Sequence, residues 1–273
     1  MTQFTVFGNP IAHSLSPQIH QLFAAQFGGQ LNYDRRLATV ATFPSAVADF
    51  FRCGGQGANV TIPFKVAAMD LVTHLTPRAQ RAGSVNTLVP LGHGQLVGDT
   101  TDGLGLCRDL QRLLAAELAT TKVLIIGAGG AARSVIEPLQ ALGAEVVIAN
   151  RSRARVEPLI EVFDELKLLD FASLQAPPEA LMGGSDWLLI NATSASLLGG
   201  KLAIHPSWFA GAKLVYDMMY GTQLTPFLKQ ATTAGAQQVS DGLGMLVEQA
   251  AVSYALWHPG QMPDTASVLT ALR

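Results

Sequence analysis

Lys122-Val123-Leu124-Ile125-Ile126-Gly127-Ala128-Gly129-Gly130-Ala131-Ala132 is the stretch that decides the fold. The run Lys122–Ile126 predicts a buried strand, and the glycines predict a tight turn. Ala131 to Leu142 then reads as a helix stopped by Gly143, with Pro138 bending it, and Glu145–Ala149 as a second strand. A strand, a glycine turn and a helix N-terminus aim backbone N–H groups at one point, which is how a pyrophosphate is held. Ala132 stands at the third small position, as close helix–strand packing allows. The glycine match alone is weak. The strand before it and the strand after it supply the required context, so a purely structural turn is the poorer reading.

The end of the second strand selects the cofactor. An Asp or Glu there would bond a ribose 2′-hydroxyl. This chain has Asn150-Arg151-Ser152 instead, with Arg153 and Arg155 following. A guanidinium suits a 2′-phosphate, so NADP is expected rather than NAD. The ends of the later strands are polar or glycine-rich too: Asn191-Ala192-Thr193-Ser194, Met218-Met219-Tyr220 and Ser240-Asp241-Gly242. In a doubly wound sheet that edge faces the ligand.

Apolar runs of strand length alternate with helical patterns almost throughout, which predicts an α/β chain with a parallel sheet. The expected early strands are Phe4–Phe7, Asn32–Leu37, Gly57–Thr61 and a pair at Ser84–Val89 and Gln95–Gly98. Helices are expected at Pro17–Phe27 (with Ser16 as N-cap), Phe43–Arg52, Lys65–Thr73 and Gly103–Leu118. Later strands fit Trp187–Ile190, Lys213–Tyr216 and Gln238–Val239, and the last helices Leu243–Trp257 and Ser267–Leu272. Gln175–Gly184 reads as loop.

Lys65 closes Gly57-Ala58-Asn59-Val60-Thr61-Ile62-Pro63-Phe64-Lys65 at a strand–helix junction. An arbitrary lysine in a first helical turn is usually solvated. One beside low-dielectric packing is a usable proton donor or acceptor. Ser14 and Ser16 lie at a helix start whose free amides favour an anion, and capping explains only one of the two hydroxyls. Asn59, Thr61, Asn86 and Asp102 also fall at strand ends or turns. With Lys65 they would make a cleft suited to a polyhydroxylated acid.

The 273 residues are 49% apolar and 14% charged, enough for a sizeable core and too apolar for disorder. A net charge of -2 leaves no basic footprint for nucleic acid or for a membrane surface. Cys53 and Cys107 have no metal-ligand spacing and read as reduced core thiols, and the six histidines form no ligand motif. No signal peptide and no transmembrane run is read, so a cytoplasmic location is expected.

At this point the chain resembles the shikimate dehydrogenase family. The matching segments are Gly8 through Pro17, Gly57 through Lys65, Gly83 through Thr87, Thr101 through Gly103 and Gly127 through Ala132. They continue with Asn150 through Ser152, Ile190 through Ser194, Tyr216 through Met218, Thr225 through Leu228 and Gly242 through Ala250. The resemblance implies NADP-dependent, reversible oxidation of shikimate to 3-dehydroshikimate, a step of aromatic amino-acid biosynthesis. A quinate/shikimate enzyme acting on a related cyclic hydroxy acid is the alternative, and a non-catalytic NADP sensor is a distant one. It implies Lys65 and Asp102 as the catalytic pair. Ser14 and Ser16 would hold the substrate carboxylate, with Thr61, Asn86, Tyr220 and Gln249 at its hydroxyls or lining the pocket. NADP would lie on Gly127, Ala128, Gly129, Gly130, Ala131, Asn150, Arg151, Ser152, Arg155, Met218 and Gly242, with no metal. It implies a substrate domain over 1–101, completed by helices in 242–273, and a Rossmann-like doubly wound NADP domain over 102–241. The small-molecule substrate is the expected partner, in a monomer or homodimer. Three positions depart from the family pattern: Thr100 for a usual Asn, Ser196 for a frequent Gly, and Pro77 for a common acid.

Overall fold

The computed structural model describes residues 3–114, 118–177, 187–195 and 200–273. It divides into two compact units, Met1–Leu106 with Leu246–Arg273, and Cys107–Met245.

The first unit opens with β1 (Gln3–Gly8), α1 (Ser16–Gln26), β2 (Asn32–Leu37), α2 (Phe43–Arg52) and β3 (Gly57–Val60). A short 3-10 turn at Ala67–Leu71 leads to β4 (His74–Leu75) and α3 (Pro77–Ala82), then to the β5–β6 pair (Thr87–Gly92, Gln95–Asp99) and α4 (Asp102–Leu114). The sheet order is β2-β1-β3-β5-β6-β4. β1 runs parallel to β2 and β3, and β4 parallel to β6, while β5 is antiparallel to both of its neighbours. The hairpin turn behind that reversal holds Gly92, His93 and Gly94 all at positive φ, a conformation glycine adopts without strain.

Four local expectations change. The helix expected over Lys65–Thr73 is a turn at Lys65 followed by the short 3-10 segment. Thr73 N–H donates to Leu96 O and Thr73 Oγ1 accepts from Leu96 N–H, so the chain is drawn into the sheet edge before a helix can lengthen. The strand expected from Ser84 starts at Thr87, because Val85 N–H bonds Lys65 O and Asn86 N–H bonds Asp99 O instead. Ser16 is not the N-cap of α1: Leu15 takes that position with no side-chain bond, and the Ser16 N–H donates to Ser14 Oγ at 3.3 Å. Ser14 Oγ, one residue before the cap, thus takes one free amide of the helix start. Of the two thiols only Cys107 is buried; Cys53 is exposed, because the chain leaves the core where α2 ends.

The second unit carries β7 (Lys122–Ile126), α5 (Gly130–Ala141), β8 (Glu145–Ala149), α6 (Glu157–Val162), β9 (Lys167–Leu169) and β10 (Trp187–Asn191). After these come α7 (Pro206–Ala210), β11 (Ala212–Asp217), α8 (Pro226–Thr233) and β12 (Val239–Asp241). All pairings are parallel, in the order β12-β11-β10-β7-β8-β9. That is the doubly wound order, with its reversal point between β7 and β10. Val123, Ile125, Ile126, Leu188 and Ile190 are all buried, as a sheet covered on both faces requires. α9 (Leu243–Trp257) and α10 (Thr265–Leu272) end the chain, and the boundaries between the units fall within α4 and α9. The helix expected to reach Leu118 is described as far as Leu114, and Leu118 itself lies in a turn whose carbonyl accepts the Thr121 N–H. Residues 115–117, most of the loop at Gln175–Gly184 and Ser196 lie outside the described residues.

Candidate active site

The lysine site is built from the core outward. Phe64 is buried and stacks on Phe43 with centroids 4.4 Å apart, which pins the chain one residue before Lys65. Val85 N–H donates to Lys65 O at 2.8 Å and holds the other side. The side chain reaches inward: Lys65 Nζ ion-pairs with Asp102 Oδ2, the lysine side chain 14% exposed and the carboxylate 4%. Asp102 is the first residue of α4 and sits in the positive field of that helix start.

Asn86 occupies the other carboxylate oxygen, its Nδ2 donating to Asp102 Oδ1 at 2.8 Å. Its own orientation is fixed, because Asn86 Oδ1 accepts the Thr101 backbone N–H at 2.9 Å and the Thr87 hydroxyl at 2.8 Å. Asn86 Nδ2 also reaches Gln249 Oε1 at 3.0 Å, which places α9 beside the pair. Lys65, Asp102, Asn86 and Gln249 are thus brought together inside the first unit. Ser14 and Ser16 form a second group, joined by a 3.1 Å bond between their hydroxyls at the start of α1. Thr61 lies between β3 and the lysine turn, its N–H bonded to Phe7 O. Tyr220 is in the second unit, just beyond β11.

The glycine loop follows β7. Gly127 has φ +115°, and a Cβ there would stand 3.1 Å from the Ala192 backbone, so only glycine fits. Gly129 caps α5 with no side-chain bond, and the space where its Cβ would stand is open. Ala128 is buried, Gly130 begins the helix and Ala131 follows it. This bare, positively polarised helix start fits a pyrophosphate. After β8, Asn150 Nδ2 ties down Ser152 O at 2.8 Å, and Arg151, Ser152 and Arg155 are exposed. Met218 N–H bonds Asn191 O, and Gly242 packs directly on the Met218 carbonyl.

Several contributors carry little signal in the sequence. Arg133, in the first turns of α5, donates to Ala128 O at 3.3 Å. Burial lowers its pKa and the like charge of Arg155 lowers it further, so two cations press on each other beside the loop. Such a pair suits an anion, and its sequence signal is a basic residue directly after the glycine turn. Asp217, fully buried, accepts from Asn191 Nδ2, Met219 N–H and Thr225 Oγ1, and so sets the ends of β10 and β11. Two departures from the family pattern are structurally quiet. The buried Thr100 hydroxyl finds no partner among the described residues, and Pro77 is accommodated at the start of α3 behind its Thr76 cap.

A doubly wound dinucleotide-binding unit, joined in one chain to a unit holding a buried lysine–carboxylate pair, defines an α/β protein of the dehydrogenase type. The sequence matches the shikimate dehydrogenase substrate binding domain over residues 6–88, shikimate / quinate 5-dehydrogenase over 109–197 and the shikimate 5'-dehydrogenase C-terminal domain over 242–273. It is 49% identical to the shikimate dehydrogenase (NADP(+)) of Dechloromonas aromatica, over 99% of this chain and 97% of that one. The protein of the same name from Idiomarina loihiensis is 46% identical, over 100% and 98%. The crystal structure of shikimate 5-dehydrogenase from Thermus thermophilus, in complex with NADP(H) and shikimate, superposes with a TM-score of 0.82 at 30% identity, over 99% of this chain and 98% of that one. The chain belongs to the shikimate dehydrogenase family.

Proposed function

We propose that this protein is an NADP-dependent oxidoreductase that interconverts shikimate and 3-dehydroshikimate. The observation that carries the reading is the buried Lys65–Asp102 pair, whose second carboxylate oxygen is held by Asn86. NADP, when bound, supplies the hydride acceptor, and Gly127–Ala131, Asn150–Arg155, Met218 and Gly242 would hold it. In the reducing direction the Lys65 ammonium gives its proton to the carbonyl oxygen as the hydride arrives at carbon. In the oxidising direction the neutral amine takes the hydroxyl proton while hydride leaves the same carbon. Asp102 aims the lysine and accepts from a ring hydroxyl, and nearby donors stabilise developing alkoxide charge. Ser14 and Ser16 would take the substrate carboxylate at the α1 start, and Thr61, Asn86, Gln249 and Tyr220 its hydroxyls.

Lys65→Met tests this. Turnover of shikimate, followed by absorbance of the reduced nicotinamide, should fall by about 10²- to 10⁴-fold, while titrated NADP affinity stays at the parent value. Full turnover in that variant refutes the assignment. Running quinate in place of shikimate, and NAD in place of NADP, decides substrate and cofactor preference. Among the described residues no helix is long and apolar enough to cross a membrane.

A further inference from the structure

Tyr33, on β2, is absorbed by none of the roles above, yet it joins the two halves of the substrate site. It is 4% exposed, and its hydroxyl donates to Asn59 Oδ1 at 2.7 Å. With its oxygen held there, Asn59 must turn Nδ2 the other way. That group donates to Asn86 O at 3.1 Å, Thr87 Oγ1 at 3.2 Å and Ser253 Oγ at 3.1 Å. Asn86 O is the acceptor that also pairs with Val60 N–H, so Asn59 grips the backbone of the residue that holds Asp102. On its other side the Tyr33 ring stacks on His20, centroids 4.5 Å apart and planes within 10°. His20 lies one turn along α1 from Ser16.

We infer that Tyr33 is a positioning residue that registers the Ser14–Ser16 hook on α1 against the Asn86–Asp102 edge of the site. Its ring fixes α1 through His20, and its hydroxyl fixes the Asn59 carboxamide. Burial pushes the phenol well above its usual range, so it stays protonated and donating. This role rests on the functional reading above, since it concerns the same site.

Tyr33→Phe removes only the hydroxyl and leaves the stack. In the variant, kcat/KM for shikimate should fall about 5- to 20-fold, with most of the loss in KM, as expected for one buried hydrogen bond. KM for NADP should stay within about twofold. In NMR spectra the Asn59 side-chain NH2 signals should shift and lose protection from hydrogen exchange. Unchanged shikimate kinetics together with an unchanged Asn59 signal overturn the inference, as does an equal loss for shikimate and NADP, which marks general loosening. If the parent protein fails to turn over shikimate, the functional reading falls. The Asn59 signal then still decides whether Tyr33 orients that carboxamide.

Discussion

Asp102→Asn is an isosteric change that the site cannot accommodate. Both oxygens of the buried carboxylate face donors: Lys65 Nζ at Oδ2, and Asn86 Nδ2 at Oδ1. An asparagine there has one oxygen and one NH2 group. With the oxygen toward Lys65, its NH2 meets the Asn86 NH2; turned over, its NH2 meets the ammonium. Asn86 cannot flip to relieve this, because its Oδ1 already accepts the Thr101 backbone N–H. Stranding a buried donor costs about 1–3 kcal/mol, and removing the carboxylate leaves the lysine without its buried counter-charge. The variant should therefore be less stable than the parent by about 2 kcal/mol or more in urea titration. Its kcat for shikimate should fall by about 10²-fold or more. Asp102→Ala serves as comparison: it creates a small void but no donor–donor clash, so it should be no less stable than the asparagine variant. An asparagine variant as stable as the parent, within about 0.5 kcal/mol, would refute the donor assignment. Retained kcat would refute the role of the carboxylate.

His20 is fully buried, and burial lowers its pKa from 6.5 to about 3, with the nearby Asn59 side chain opposing slightly. The unfolded chain therefore binds a proton below 6.5 that the folded chain refuses. Stability is full above that pH and is lost progressively as the pH falls toward 3, the loss amounting to roughly 3 kcal/mol by about pH 4.5. Replacing it (His20→Leu) should flatten the difference between urea titrations at neutral and acid pH; an undiminished slope would assign the acid loss to carboxylates alone. Arg151→Ala should raise the NADP dissociation constant by about tenfold and leave NAD unaffected, the low end of a charged contact because the side chain is exposed. Equal losses for both dinucleotides would place the 2′-phosphate elsewhere. In Gly242→Ala the new Cβ would press into the Met218 carbonyl, so NADP affinity and thermal stability should fall together, and an unchanged NADP titration would free that contact from any role.

What is legible in the sequence follows from range. The central strands β7, β8 and β10 are largely apolar runs, and the glycine loop carries its own turn chemistry, so each is readable from a few consecutive residues. The three-residue β9, Lys167-Leu168-Leu169, is by contrast too short to announce itself. The 3-10 segment after Lys65 is not, because Ala67-Ala68-Met69 has good helix propensity and only the distant Leu96 pulls the chain into the sheet. Residue type alone makes Ser16 the N-cap of α1, yet Leu15 takes that position, Ser14 Oγ accepts the Ser16 N–H from one residue further out, and Ser16 itself is buried. Thr76-Pro77 before α3 and Thr225-Pro226 before α8 are cap signals in front of short helices, whose periodicity carries little weight on its own.

The lysine site shows the same limit more sharply. Lys65 and Asp102 are 37 residues apart, Asn86 and Gln249 163, Asn59 and Ser253 194. Residue type announces that each needs a partner, but no spacing says which one. One signal does survive in sequence: Asn59 sits in a strand whose residues are all buried, Gly57-Ala58-Asn59-Val60. A carboxamide there must be bonded on both its oxygen and its nitrogen or the strand would not be stable. Its oxygen goes to Tyr33 and its nitrogen to Asn86, Thr87 and Ser253. One side chain therefore needs β2, β5 and α9 all in place, and assembly of the sheet with the C-terminal helix is the same event as assembly of the Asn86–Asp102–Lys65 edge.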